Sequence, residues 1–188
     1  METIITDSGR NKLVLVDSLS FREEKRLIDA ILMLVDSRMS IHMFSRLYKL
    51  LSDKGYWYAL GKAYTGGDWP DNYTNDEKRW FFGSHRPFRE YLMTSAERRY
   101  FDSLPQKVTI YRAMTILEQE SGDFGLSWTM SKKVAEFFAY KYQRYARYQD
   151  HEKVIHALDV DKKTIIAYFA CRKEHEVIYD HSEGDLLF

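Results

Sequence analysis

Glu174 and Glu176 stand two apart in RKEHEVIYD, residues 172–180, at the entrance to a run of strand-forming residues. A strand alternates faces with a period of two, so the spacing predicts both carboxylates on one face. Two like charges a few Å apart repel unless something uses them. Carboxylates aimed at one spot suit the stabilisation of a developing positive charge and the removal of a proton. A glycosidase fits poorly, because its two carboxylates flank the scissile bond from different elements.

Two other segments carry groups that could join them. Arg112 lies inside VTIYRAM, where interior strand positions favour apolar residues. Ser127 and Thr129, in FGLSWTM, share one strand face and leave Trp128 on the other. Each segment alone also has a plain reading. Arg112 can face solvent, the hydroxyls can lie outside a strand whose Trp is in the core, and the Glu pair can be solvated beside Arg172 and Lys173.

The elements that would hold these groups fall into two kinds. The first half reads helical. SFREEKRLIDAILMLVD opens with Ser20 and has Glu23 three residues on, a capping-box pattern ahead of an apolar helical stripe. A second helix is expected through SIHMFSRLYKLLSDKG, with Ser40 as N-cap and Gly55 as stop. Residues 64–76 read as a loop and hinge, and TSAERRYFDSLP as a short helix ended before Pro105. After Pro105 the composition turns β-branched and aromatic. Strands are expected at 107–113, 124–130, 153–160, 164–170 and 176–180, with one helix over 131–148. The expected organisation is α+β: a helical region over 1–104, packed on a β-rich core over 105–188.

Composition narrows the function classes. The chain of 188 residues has 28 basic and 28 acidic side chains, so bulk charge does not direct it to nucleic acid or anionic membrane. One cysteine, Cys171, excludes an intrachain disulfide. The N-terminal residues lack the layout of a signal peptide, and no apolar run approaches a membrane span; a cytoplasmic protein is expected. The six histidines show no metal-ligand spacing.

Taken in chain order, the three segments say more than they do singly. Tyr111-Arg112 on a first strand, Ser127-x-Thr129 on a second that runs into a helix, and Glu174-x-Glu176 on a late strand resemble the R-S-E class of mono-ADP-ribosyltransferases, in its bacterial or phage-encoded form. GLSWTMSKKVAEFFA is similar to the Ser-motif strand and helix of that class, and RKEHEVI to its Glu-x-Glu strand. The resemblance covers residues 105 to about 180. It implies a split β-sandwich catalytic core of two packed sheets, NAD as cosubstrate and no metal. It also implies a macromolecular acceptor, either a protein side chain or RNA or DNA. A toxin, phage–host or antiviral role follows, with a neutralising antitoxin or inhibitor protein as a further partner.

The resemblance assigns roles as well. NAD contacts are implied for Tyr111, Arg112, Ala113, Ser127, Thr129, Phe138 and Glu176, and catalytic roles for Arg112, Ser127, Glu174 and Glu176. Cleavage of the nicotinamide–ribose bond builds positive charge at the anomeric carbon, and a carboxylate at the ribose 2′-hydroxyl stabilises it. That carboxylate is Glu176. Arg112 offers a planar fork to phosphate oxygens, Ser127 holds the Glu176 rotamer, Thr129 braces the strand, and Glu174 faces the acceptor. Two positions depart from the class. Ala113 stands where many members have Gly, and the bulky Trp128 fills the middle of the Ser motif.

Other readings are weaker. DFG at 123–125 matches a kinase tripeptide without its companion motifs. KRWFFGSHRPFR (78–89) and the helix with Phe138, Tyr142 and Tyr145 beside Lys141, Arg144 and Arg147 read as packing surfaces or as nucleic-acid-facing ones. A degenerate transferase fold that binds NAD or nucleic acid without chemistry is the non-enzyme alternative.

Overall fold

A computed structural model describes residues 4–6, 13–15, 19–67, 73–141 and 152–184. It divides into two compact units, Met1–Tyr73 with Ser84–Thr94, and Thr74–Gly83 with Ser95–Phe188.

Among its described residues the first unit holds a two-stranded antiparallel ribbon, β1 (Ile4–Thr6) with β2 (Leu13–Leu15), and three α-helices. Helix α1 (Phe21–Met33) starts with the expected capping box, Ser20 and Glu23 each satisfying the other's backbone N–H. Helices α2 (Ser40–Leu47) and α3 (Asp53–Gly66) stand where one helix was expected. The break lies at Ser52, whose Oγ caps α3 by accepting from Gly55 N at 3.0 Å. Glu24 of α1 takes Ser52 N at 2.8 Å and Ser52 Oγ at 2.5 Å. Gly55 is therefore not a stop. It lies in the first turn of α3, where a Cβ would collide with the Glu24 carboxylate. Phe44, Tyr56, Trp57 and Leu60 form the core of this unit, and Trp57 Nε1 donates to the carbonyls of Arg86 and Pro87.

The second unit is mixed helix and antiparallel sheet. Helices α4 (Asn75–Phe82) and α5 (Ser95–Ser103) belong to it, so the β-rich unit begins earlier in the chain than residue 105. The reason is polar. Arg79 of α4 pairs with Asp123 at 2.6 Å and Asp180 at 3.3 Å, and Glu97 of α5 accepts from Ala170 N at 2.9 Å. The expected loop 64–76 is likewise shorter, since α3 runs to Gly66 and α4 opens at Asn75 with a Thr74–Glu77 capping box; residues 68–72 of that stretch lie outside the described residues.

The strands follow as β3 (Lys107–Thr115), β4 (Ser127–Thr129), β5 (Lys153–Asp161), β6 (Ile165–Phe169) and β7 (Glu176–Tyr179). They form one five-stranded sheet in the order β5-β3-β4-β7-β6. Two packed sheets were expected of the β-rich core, and among the described residues of this unit there is one. It comes close to parting, however. β3 and β5 share nine register pairs, whereas β3 meets β4 at the single pair Tyr111↔Thr129. The strand β4 is short because the chain before it is used otherwise: Phe124 O accepts from Arg79, and Gly125 N donates to Glu118 at 3.0 Å. Helix α6 (Ile116–Ser121) follows β3 and helix α7 (Lys132–Tyr140) follows β4. Of the helix expected over 131–148, residues 142–148 lie outside the described residues. A last short helix, α8 (His181–Gly184), follows β7.

Candidate active site

A cavity of about 260 Å³ opens where β3 and β4 are paired at one position only. Its wall is built from β3, β4, α7, the first residue of β5 and the approach to β7. It includes Tyr111, Arg112, Ala113, Ser127, Thr129, Phe138, Glu174 and Glu176. The eight residues to which the resemblance gave catalytic or NAD-binding roles therefore line one cavity, although they come from four separate stretches of chain.

The centre of the arrangement is Glu176. It opens β7, is 7% exposed, and pairs in register with Thr129. Ser127 Oγ donates to Glu176 Oε1 at 2.5 Å. A buried carboxylate costs free energy unless it is hydrogen-bonded, and this contact supplies part of that compensation.

Glu174 is placed differently from the expectation. It is not in the strand. It follows a short 3₁₀ turn at Cys171–Lys173, and two non-glycine residues flank it in the left-handed region, Lys173 (φ 57°) and His175 (φ 47°). The shared face of the two carboxylates thus does not come from strand alternation; a turn brings Glu174 to the same cavity. Left-handed backbone at non-glycine residues costs of order 1–3 kcal/mol each and persists where the surroundings over-determine it. Here they do. Thr129 Oγ1 donates to the Glu174 carbonyl at 2.6 Å, Met130 N donates to the His175 carbonyl at 3.0 Å, and the Tyr168 hydroxyl meets His175 Nδ1 at 3.1 Å. Burial raises the Tyr168 hydroxyl above its ordinary pKa, with further contributions from Tyr100, Glu97 and Cys171.

Arg112 is engaged through all three of its side-chain nitrogens. Its Nε and Nη2 both reach Glu118 Oε1 at 2.8 Å, and Nη1 donates to the Ser127 carbonyl at 2.5 Å. Strand alternation sets Arg112 on the face opposite Tyr111, and it lines the cavity at the seam, where β3 and β4 are no longer paired.

Two residues of the site were missed from the sequence. Glu118, which holds Arg112, sits in Thr115-Ile116-Leu117-Glu118, a pattern legible as a capping box. Lys153 lines the cavity and donates from Nζ to the Phe138 carbonyl at 3.2 Å; nothing in KVIHALDV separates it from a solvated lysine at a strand end. The DFG tripeptide has structural contacts: Asp123 pairs with Arg79, Phe124 packs near Trp128 and His156, and Gly125 leaves room for the Arg112 guanidinium.

The basic and aromatic stretch 78–89 is largely used in packing. Arg79 is spent on Asp76, Asp123 and Asp180. Arg86 lies over Tyr56 and donates to the Leu51 and Tyr48 carbonyls, and Arg89 lies over Trp57. On α7, Phe138 turns to the cavity while Phe137, Tyr140 and Lys141 are exposed; Tyr142, Arg144, Tyr145 and Arg147 lie outside the described residues.

Compared with known proteins, the chain matches no family model, no curated protein and no solved structure.

Proposed function

We propose that this protein is an NAD-dependent mono-ADP-ribosyltransferase that moves ADP-ribose from NAD to a macromolecular acceptor. The observation that carries the reading is the convergence of Arg112, Ser127 and Glu176 on one cavity, with the Ser127 hydroxyl fixing the Glu176 carboxylate. The single pairing between β3 and β4 also favours a catalytic core derived from the split β-sandwich of that class.

The donor set suits NAD. A guanidinium has five N–H donors, and Arg112 spends three on Glu118 and Ser127, leaving two for phosphate oxygens. The ring of Phe138 offers the nicotinamide an apolar surface. The cavity volume lies just under the range of about 300–1,000 Å³ for small-molecule pockets, which suits the nicotinamide–ribose part of the dinucleotide better than the whole.

The residues then divide the work. Glu176 accepts from the ribose 2′-hydroxyl and stabilises the positive charge that grows at the anomeric carbon. The bond from that carbon to nicotinamide breaks, and its electron pair leaves with the nicotinamide. The acceptor's nucleophilic atom forms the new bond to the same carbon, and its proton passes to Glu174. Glu174 and Glu176 line one cavity, which supports this division.

The test is nicotinamide release and label transfer. Purified protein with NAD, with and without cell lysate, should release nicotinamide. Label from the ADP-ribose portion should move to high-molecular-weight material, and separate protease and nuclease digestion then assigns the acceptor class. No nicotinamide above background under either condition overturns the reading in favour of a binding module.

A further inference from the structure

In α1, α4 and α6 a Ser or Thr N-cap is followed three residues later by Glu. In α1 and α4 the Glu reaches back to the backbone N–H of the cap, at 2.9 Å from Glu23 to Ser20 and 2.8 Å from Glu77 to Thr74. In α6 the cap itself is kept, with Thr115 Oγ1 accepting from Glu118 N at 3.1 Å. The Glu118 carboxylate, however, is turned elsewhere. Its Oε1 takes Arg112 Nε, Arg112 Nη2 and Gly125 N.

We propose that Glu118 is a positioning residue that, with Gly125 and the Ser127 carbonyl, fixes the Arg112 guanidinium so that its two remaining N–H groups meet the pyrophosphate of NAD. This rests on the NAD reading above.

Two effects oppose each other here. A carboxylate beside the guanidinium offsets its charge and so weakens its pull on an anion. The same carboxylate removes the rotamer freedom of a long side chain. The surroundings favour positioning. Glu118 is independently anchored by the Gly125 N–H, so it is not free to follow or release the guanidinium. Gly125 also closes over it: a Cβ there would collide with Arg112 Nη2 and lie 2.9 Å from Cζ. A group walled in by one carboxylate, one carbonyl and a glycine backbone has one orientation to offer.

The two effects separate in two variants. Glu118→Gln removes the charge and weakens the hold. Gly125→Ala keeps every charge and forces the guanidinium to move; the glycine is not among the residues with positive φ, so alanine is allowed by the backbone. Steady-state nicotinamide release should show the KM for NAD rising about tenfold in both, with kcat changed by less than about threefold, as expected when an anchoring contact common to ground and transition states is lost. Glu120→Gln, an exposed charge on the same helix, should leave KM within about twofold. A lower KM in Glu118→Gln shows the carboxylate competing with the phosphate, and a lower or unchanged KM overturns the proposal. An unchanged KM in Gly125→Ala overturns it as well. So does a lower active fraction with KM unmoved, the mark of a purely structural role. Wild-type protein that neither binds NAD by calorimetry nor releases nicotinamide removes the NAD reading and this inference with it. That result is distinct from a wild type that binds NAD with a KM indifferent to positions 118 and 125.

Discussion

Ser127 Oγ lies 2.5 Å from Glu176 Oε1, across 49 positions of sequence and one strand ladder. The register makes the two residues diagonal neighbours, since Thr129 stands opposite Glu176 and Ser127 opposite Ile178. A slip of one residue would turn Glu176 to the other face, so the contact depends on the pairing of β4 with β7 as much as on the two side chains. A hydroxyl has one proton to give, and here Glu176 receives it.

Glu176→Gln keeps the shape and the ability to accept from Ser127 but removes the charge. Nicotinamide release should fall about 10²–10³-fold, the usual loss for a group aimed at charge in the transition state. The melting temperature should stay near that of the wild type, because the amide oxygen still accepts from Ser127. A fully active variant would remove Glu176 from the chemistry.

Ser127→Ala tests the support instead of the charge. The carboxylate remains but loses a donor while buried. About a tenfold drop in kcat is expected, equivalent to about 1.4 kcal/mol. The Arg112 contact to the Ser127 backbone carbonyl is unaffected by the change, so KM for NAD should move little. A rise in KM at constant kcat would show Ser127 acting on substrate directly.

The site was legible to different depths. Arg112, Ser127 and Glu176 stood out because each is a polar group in strand-forming context, and strand periodicity is a strong local signal. The partner of Arg112 did not, because Thr115 to Glu118 already has a complete local explanation as a helix cap. Glu174 was read on the right cavity for the wrong reason. Nothing in Lys173 or His175 announces left-handed backbone, which is imposed by hydrogen bonds from Thr129, Met130 and Tyr168, all distant or on other elements. The merging of α2 and α3 into one expected helix has a similar origin. Ser52 becomes a cap because Glu24, 28 positions away, takes its N–H and hydroxyl.

That relationship gives a stability prediction for the first unit. Alanine normally favours a helix over glycine by about 0.8–1.0 kcal/mol. At position 55 the added Cβ meets the Glu24 carboxylate, which holds the cap of α3. Overpacking of this kind costs typically 1–3 kcal/mol, which outweighs the propensity gain. Gly55→Ala should therefore lower stability in urea, and Gly55→Ala with Glu24→Ala should lose less than the sum of the two single changes. A more stable Gly55→Ala protein would show that Glu24 moves aside freely.

Arg79 offers a second stability test, in the other unit. Asp180 is nearly buried and depends on Arg79 as well as on Ser182 N and Oγ. Breaking a buried pair from one side is costly because a charge is left behind. Arg79→Met should destabilise by about 3 kcal/mol, and adding Asp180→Asn should restore a large part of that loss. Equal stability of the single and double variants would mean that solvent already screens Asp180.

The two carboxylates make different predictions because they are held differently. Glu176 is fixed in a strand and buried. Glu174 is delivered by a turn whose backbone is tied by Thr129 and whose next residue is tied by Met130 and Tyr168. If Glu174 takes the acceptor's proton, its loss matters most when the acceptor is a macromolecular group. It matters least when water, present at high concentration and free to reorient, replaces that acceptor. Glu174→Gln should then cut label transfer to lysate about 10²-fold or more, in the range for a general base, while NAD hydrolysis falls far less. Thr129→Val, which unties the turn without touching either carboxylate, should shift the ratio in the same direction by a smaller factor. Equal losses of transfer and hydrolysis in Glu174→Gln would contradict the division of labour and put both carboxylates on the ribose.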